Sequence, residues 1–249
     1  MATRGYIFVA CGKTFDVATA YAVWKLRKFS KLPVHVLTNV KKKNRCVRWL
    51  HLSNVTFSYR SEIPSVDLTK KANRALKTQL YALSPFDYTL YMDSDVLICS
   101  KACERLFRLL DKHDLGLISF TTSLRKNRRW AWWIRHPRRY LGSHGVVLDP
   151  STPIILWHGC VVLFKKSIIT KHFFSSWHLG WLKTKKQDMP PLFCALYSHP
   201  NLKIVDLGKH GVLSFENGSL RNSAIIKHYS CSIKNYRGLF NQAVGHRVW

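Results

Sequence analysis

Short apolar blocks alternate with longer stretches of helical period, and that alternation organises the chain. Residues 6–10, Tyr-Ile-Phe-Val-Ala, are an uninterrupted apolar run, the pattern of a strand buried on both faces. Cys11-Gly12-Lys13 follows as a turn. Thr14 is a candidate N-cap, with Asp16 in the first helical turn, where the helix dipole favours an anion. Val17, Ala20, Tyr21, Trp24 and Phe29 then recur at helical spacing. Further strands are predicted at residues 34–37 and 55–59, and a helix over 69–83 with Ala72, Leu76, Leu80 and Leu83 on one stripe. Residues 88–92 form another strand, which ends at Asp93-Ser94-Asp95. The pattern then predicts a helix near 101–110 and a strand at 115–120. An apolar strand over 154–164 is interrupted by His158-Gly159. Helices over 167–182 and 188–197 and late strands at 202–207 and 225–229 complete the order. Such alternation defines an α/β protein with a largely parallel sheet, in which ligands bind beyond the carboxyl ends of the strands.

Composition narrows the class. Apolar residues make up 47% of the 249, which excludes a disordered chain, and the length suits one domain, or one domain with a sizeable insertion. No uncharged apolar run reaches the length of a membrane-spanning helix. The opening apolar run is short for a signal peptide and reads as the first strand. The expected location is therefore the cytoplasm, including peripheral attachment to a membrane surface, or the Golgi lumen if an anchor precedes this sequence. The seven cysteines are an odd number with no Cys-x-x-Cys pair, so reduced thiols are expected rather than a zinc ribbon or a disulfide framework. Forty basic against thirteen acidic residues give a net charge of +27, an electrostatic footprint for phosphate in nucleic acid, lipid or a nucleotide ligand. No zinc finger, RNP-like aromatic motif or helix-turn-helix accompanies the charge.

With acids so scarce, their placement is informative. Asp93 and Asp95 form the one i, i+2 acidic pair, between the apolar runs Tyr88–Met92 and Val96–Ile98. Charges inside an apolar segment are costly unless something compensates them. A divalent cation would do so, because hard cations take carboxylate oxygens and leave positions for a ligand's phosphates. A strand-to-turn junction with Asp93 as a cap is the plainer alternative.

Four stretches, in order, resemble the metal-dependent GT-A glycosyltransferases, in particular the glycogenin and bacterial galactosyltransferase (family 8-like) type. Residues 6–12 look like that family's first strand and nucleotide-contacting turn. Residues 77–95, KTQLYALSPFDYTLYMDSD, are similar to its helix leading into the Asp-x-Asp metal motif. Residues 157–164 look like the strand that usually carries Asn-x-Gly, and 225–229 like the late strand that delivers a metal-binding histidine. The resemblance implies a Rossmann-like nucleotide-diphospho-sugar transferase fold with a mixed, mostly parallel sheet, as a single domain over residues 1–249. It implies Mn²⁺ or Mg²⁺ held by Asp93, Asp95 and His228 against the diphosphate of a nucleotide sugar, with UDP the expected nucleotide and Ser94 between the two carboxylates. An imidazole beside two carboxylates favours Mn²⁺. By the same resemblance Ala10, Gly12 and Thr14 lie at the base and ribose, and Lys77 at a basic donor-contacting position. Lys234 and Arg237 would clamp the diphosphate, His158 and Gly159 stand where Asn-x-Gly is expected, and Asp188 faces the sugar as the catalytic carboxylate. His158 in place of the asparagine is a departure on the sugar side.

Residues 121–140 are a basic insertion with seven Lys or Arg, no acid, and Trp130, Trp132 and Trp133 among the charges. An anionic glycan or a lipid-linked acceptor, or an anionic membrane surface, would suit that mixture, because tryptophan seats at interfaces and stacks on sugars. Single-stranded nucleic acid could use the same mixture but ranks below these. The sequence therefore reads first as a metal-dependent hexosyltransferase. A nucleotidyltransferase is the second enzymatic reading, although Cys11-Gly12-Lys13 lacks the Gly-rich phosphate loop usual there. A basic nucleic-acid-binding protein, with Asp93 and Asp95 as structural caps, is the third.

Overall fold

Tyr6, Ile7, Phe8 and Val9 are all buried, and they form the middle of a central sheet. The computed structural model describes residues 2–60, 69–123, 153–185, 187–214 and 224–228. Its strands are β1 (Arg4–Val9), β2 (Val34–Thr38), β3 (Val55–Tyr59), β4 (Tyr88–Met92), β5 (Val96–Ile98), β6 (Leu115–Ser123), β7 (Pro153–Lys165), β8 (Ile204–Asp206), β9 (Val212–Ser214) and β10 (Ile226–His228). Among the described residues seven of them form one sheet, in the order β3-β2-β1-β4-β7-β6-β8. β7 runs antiparallel to both its neighbours, and the other pairs are parallel. A smaller sheet has the order β5-β10-β9.

The helices are α1 (Lys13–Arg27), α2 (Thr69–Lys77), α3 (Leu80–Leu83), α4 (Ile168–Thr184) and α5 (Met189–Tyr197). Alternate residues of β1 point to opposite faces of the sheet, which is why the whole run is apolar. Tyr6 and Phe8 pack with Val23 and Leu26 of α1 and with Leu106 and Phe107. Ile7 and Val9 pack on the other face with Leu76 of α2, Phe173 and Trp177 of α4, and Leu192 of α5. Ser167 caps α4 with a capping box to Thr170.

Three local expectations change. The helix expected over 69–83 divides after Lys77, where the Thr78 hydroxyl and the Gln79 amide both donate to the Ala75 carbonyl and compete with the helical backbone. Lys101–Asp111 winds as a 3-10 helix, capped by the Ser100 hydroxyl. Its buried pairs Cys103/Leu106 and Phe107/Leu110 are spaced three apart, which fits three residues per turn. The N-cap of α1 is Gly12 rather than Thr14, and no side chain caps it.

Asp16 is buried, and its role is tertiary. Its carboxylate accepts from the Cys46 amide at 2.6 Å and from the Trp49 indole at 3.0 Å, tying the basic segment after β2 to α1. Burial pushes its pKa up, and the two hydrogen bonds and Arg45 oppose that rise. Asp16→Ala would leave the Trp49 N–H buried without its partner. It should cost about 2–3 kcal/mol of stability, measured by denaturant unfolding. A loss under about 0.5 kcal/mol, the ordinary surface range, would mean that the anchor is replaced by solvent.

Candidate active site

β1 and β4 are adjacent and parallel, and the chain continues from β1 to β2 on one side of the pair and from β4 to β6 on the other. That is the switch point where α/β sheets open a crevice at the carboxyl ends of their strands. The turn leaving β1 is held from below. The Ala10 amide donates to Leu37 O at 2.8 Å, and the Thr38 hydroxyl donates to Ala10 O at 2.8 Å. The Cys11 amide donates to Asn73 Oδ1 at 2.9 Å, and the Gly12 amide to Asn39 Oδ1 at 2.8 Å. Gly12 has φ +85°, a conformation that glycine adopts without strain. Thr14 is exposed on the first turn of α1.

α2 acts as a strut across the crevice. Asn73 and Lys77 are one helical turn apart and therefore share a face. Asn73 holds Cys11, while Lys77 Nζ lies 3.1 Å from Asp93 Oδ2 and 3.1 Å from Asp188 Oδ2. Arg74 adds a contact to Asp188 Oδ1 at 3.6 Å. Asp188 is at the N-cap position of α5, yet its side chain makes no capping bond. Its backbone carbonyl instead accepts the Trp177 indole N–H at 2.8 Å. Burial alone would raise the Asp188 carboxyl, but Lys77 and then Arg74 outweigh it and hold the group below its ordinary value. Burial would lower Lys77, and Asp188 and Asp93 more than reverse this, so Lys77 stays charged.

Asp93 directly follows β4, and its amide donates to Cys160 O at 2.8 Å. Its carboxylate accepts from the Tyr91 hydroxyl as well as from Lys77. Burial raises the Asp93 carboxyl; Lys77 opposes this, and the neighbouring Asp95 adds to it. Ser94 is buried between the two carboxylates.

Asp95 and His228 come together through the small sheet. β10 pairs antiparallel with β5 in a register that sets His228 opposite Val96. His228 Nε2 then lies 3.5 Å from Asp95 Oδ2. Burial would raise Asp95, but the hydrogen bond and charge of His228 bring it below its ordinary value. Asp95 Oδ1 is buried with no hydrogen-bond partner among the described residues. An unsatisfied carboxylate oxygen at this point fits a cation site, because it otherwise costs desolvation without return.

β7 supplies the remaining wall. Its register against β6 jumps, so that the six residues from His158 to Leu163 lie opposite the three from Gly116 to Ile118. The extra residues fall around Gly159 and Cys160, beside the carboxylates. Gly159 passes over Lys77, with an added Cβ standing 3.4 Å from Lys77 Cε. His158 lies 5.2 Å, ring centroid to centroid, from His228. Burial would raise the Cys160 thiol, yet the two imidazoles lower it to about 6. In return, and against its own burial, His228 is raised to about 11, chiefly by Cys160 and Asp95.

The structure thus gathers Lys77, Asp93, Asp188, Asp95, His228, His158 and Gly159 around one crevice, with Ala10 and Gly12 in the strand-end turn that α2 ties to it. Lys234 and Arg237 lie outside the described residues, as do residues 124–140 of the basic insertion. Asn39, Asn73, Arg74 and Tyr91 are site residues that the sequence reading did not single out, and the Cys160 side chain lies beside the site. Asn73 was accessible in principle, one turn before Lys77 on the same helix face.

The chain matches no protein-family profile, and no curated protein matches it in sequence. Solved structures do match in fold. A galactosyltransferase, LgtC, in complex with donor and acceptor sugar analogs superposes with a TM-score of 0.60 at 14% identity, covering 91% of this chain and 87% of that one. Mouse xyloside xylosyltransferase 1 gives a TM-score of 0.59 at 13% identity, over 92% of this chain and 98% of the other. The glycosyltransferase GlyE of Streptococcus pneumoniae gives 0.57 at 12% identity, over 95% of this chain and 56% of that protein. The chain has the GT-A glycosyltransferase fold, α/β with a mixed, mostly parallel central sheet. At these identities the likeness speaks for architecture.

Proposed function

We propose that the protein is a metal-dependent glycosyltransferase that moves a hexose from a nucleotide sugar, a UDP-hexose, to a glycan or lipid-linked acceptor. The observation that carries this reading is the meeting of Asp95 and His228 at a strand end, with a buried carboxylate oxygen left unpaired. Asp93, Asp95 and His228 would hold the cation, and two carboxylates with one imidazole suit Mn²⁺. When bound, the ion neutralises charge on the diphosphate leaving group.

The chain's own residues do the rest. Asn39 and Asn73 fix the turn at Ala10–Gly12, so that a nucleoside can lie against backbone there. Tyr91 and Lys77 orient Asp93. Asp188 is already paired with Lys77 and Arg74, and its carboxyl is held low. A carboxylate so stabilised is a weak proton acceptor at neutral pH. We assign it to holding sugar hydroxyls and stabilising positive charge at the anomeric carbon. Lys234 and Arg237 are proposed to close on the diphosphate. The basic segment 121–140 is proposed to engage the acceptor or an anionic membrane surface.

A thermal-shift screen of UDP-, GDP- and CMP-sugars, with and without Mn²⁺, tests the reading, because a specific ligand raises apparent stability by mass action. Stabilisation by a UDP-hexose that needs Mn²⁺ is the expected result, and no response to any nucleotide sugar would reject it. His228→Ala should raise the Mn²⁺ concentration needed for half-maximal response by at least about tenfold. An unchanged Mn²⁺ titration would make His228 a structural residue. Neutralising Arg125, Lys126, Arg128 and Arg129 together should weaken binding of acceptor or anionic liposomes and leave UDP-hexose affinity within about threefold. A large loss of donor affinity would instead make that segment part of the donor site.

A further inference from the structure

The carboxylate centre uses His228 but leaves two neighbouring donors without a role. β7 carries His158 and Cys160 within its irregular stretch, and β10 brings His228 against them. One nitrogen from each imidazole and the Cys160 sulfur all lie within 4.8 Å of one another. Among the described residues this is the one group of three or more His, Cys, Asp or Glu side chains whose donor atoms already lie that close together; Asp93, Asp95 and His228 stand further apart and would have to draw in around an ion. The Nδ1 atom of His158 is buried and has no hydrogen-bond partner among the described residues.

The chemistry of the set selects its metal. A thiolate with two imidazoles is a soft-to-borderline donor set, suited to Zn²⁺ and poorly suited to Mn²⁺ or Mg²⁺, which favour oxygen. Zn²⁺ at about 2.3 Å from sulfur and about 2.0 Å from nitrogen puts ligand atoms roughly 3.3–3.6 Å apart, so the cluster need close by only about 1 Å. Three protein ligands with a fourth position open are the arrangement of zinc sites that exchange a ligand rather than of closed structural ones.

We propose that His158, Cys160 and His228 form a second, soft-metal centre that takes Zn²⁺ and shares His228 with the carboxylate pair. Binding requires Cys160 as a thiolate and His228 as a neutral imidazole, so the one proton that pair shares is released to solvent as one sulfur–metal and two nitrogen–metal bonds form. The shared histidine makes the two centres exclusive. With His228 bound to Zn²⁺, Asp93 and Asp95 lose their third ligand, and Zn²⁺ opposes Mn²⁺-supported donor binding. This last consequence rests on the glycosyltransferase reading; the centre itself does not.

The test uses the full, reduced, metal-stripped chain without nucleotide, with Co²⁺ as the spectroscopic stand-in for Zn²⁺. The parent should develop a thiolate-to-Co²⁺ charge-transfer absorption that saturates at one equivalent and is displaced by Zn²⁺. Cys160→Ser should lose that absorption, and His158→Gln should weaken Co²⁺ and Zn²⁺ binding by at least about tenfold. Absence of the absorption in the parent, or its persistence in Cys160→Ser through another cysteine, would overturn the centre. If Cys160→Ser does not fold, unchanged affinity in His158→Gln would overturn it equally. A second arm measures UDP binding in Mn²⁺. One equivalent of Zn²⁺ should weaken it by at least about tenfold in the parent and leave it unchanged in Cys160→Ser. UDP binding indifferent to Zn²⁺ in the parent would overturn the sharing of His228. A parent with the Co²⁺ absorption but no Mn²⁺-dependent UDP binding keeps the soft-metal centre and removes the donor reading.

Discussion

Asp93→Ala and Asp95→Ala should each reduce metal-dependent sugar transfer by at least about a hundredfold while the fold persists, the scale expected when a preorganised charge at the reacting centre is lost. Persistence of the fold follows from the surrounding contacts. Without the Asp93 carboxylate, Lys77 keeps Asp188 at 3.1 Å, and the Asp93 amide keeps its bond to Cys160 O. Without the Asp95 carboxylate, β5 and β10 keep their backbone register. Transfer activity, circular dichroism and the unfolding midpoint measured on the same samples separate the two effects. Full activity in both variants would make the pair a structural turn. Inactivity together with unfolding would place its role in the fold.

Lys77→Met should destabilise the protein by about 3–5 kcal/mol, the cost of leaving buried carboxylates without their partner. Lys77 is the one described cation within salt-bridge distance of both Asp93 and Asp188, and it also sits 5.5 Å over the Tyr91 ring. Chemical denaturation should show a lower midpoint with an unchanged slope. The pH dependence follows from the directions of the shifts. Asp188 is held below its ordinary value, so its contribution is full above that value and disappears as pH falls through the folded one. Lys77 is held above its ordinary value, so its contribution is full below that value and fades as pH rises through the folded one. Asp93 is raised even with Lys77 opposing it, so in Lys77→Met the unpaired carboxylates take up protons above the ordinary carboxylate range, and the deficit should be largest near neutral to mildly alkaline pH and shrink steadily as pH falls. A deficit below about 1 kcal/mol would mean that the three charges are effectively solvated.

Much of this architecture was legible in the sequence because the central strands are buried on both faces. Residues 6–10 and 88–92 read as apolar runs and 34–37 as a strand, and they lie adjacent in the sheet. Asp93 and Asp95 stood out because charge between such runs needs a reason. The strand β5 was visible as an apolar run, but its partner β10 lies about 130 residues away, and nothing local specifies that register. The antiparallel direction of β7 was equally hidden, since periodicity does not encode direction. Lys77 was read as a donor contact, while the structure adds a second task, the joining of Asp93 to Asp188, that depends on a helix ending at Lys77. Cys160 was counted as one of several buried thiols. Its difference from the others comes from His158 on its own strand and His228 on another, and only the fold supplies the second.

The account rests on the crevice at the ends of β1 and β4 holding a metal and a nucleotide diphosphate together. The most direct measurement is calorimetric titration of UDP into the metal-stripped chain, with and without Mn²⁺, for the parent and for Asp95→Asn. Binding in the parent should be at least about tenfold tighter with Mn²⁺, a difference of about 1.4 kcal/mol, and Asp95→Asn should remove that enhancement. UDP affinity that is the same with and without Mn²⁺, or an enhancement that survives in Asp95→Asn, would contradict it.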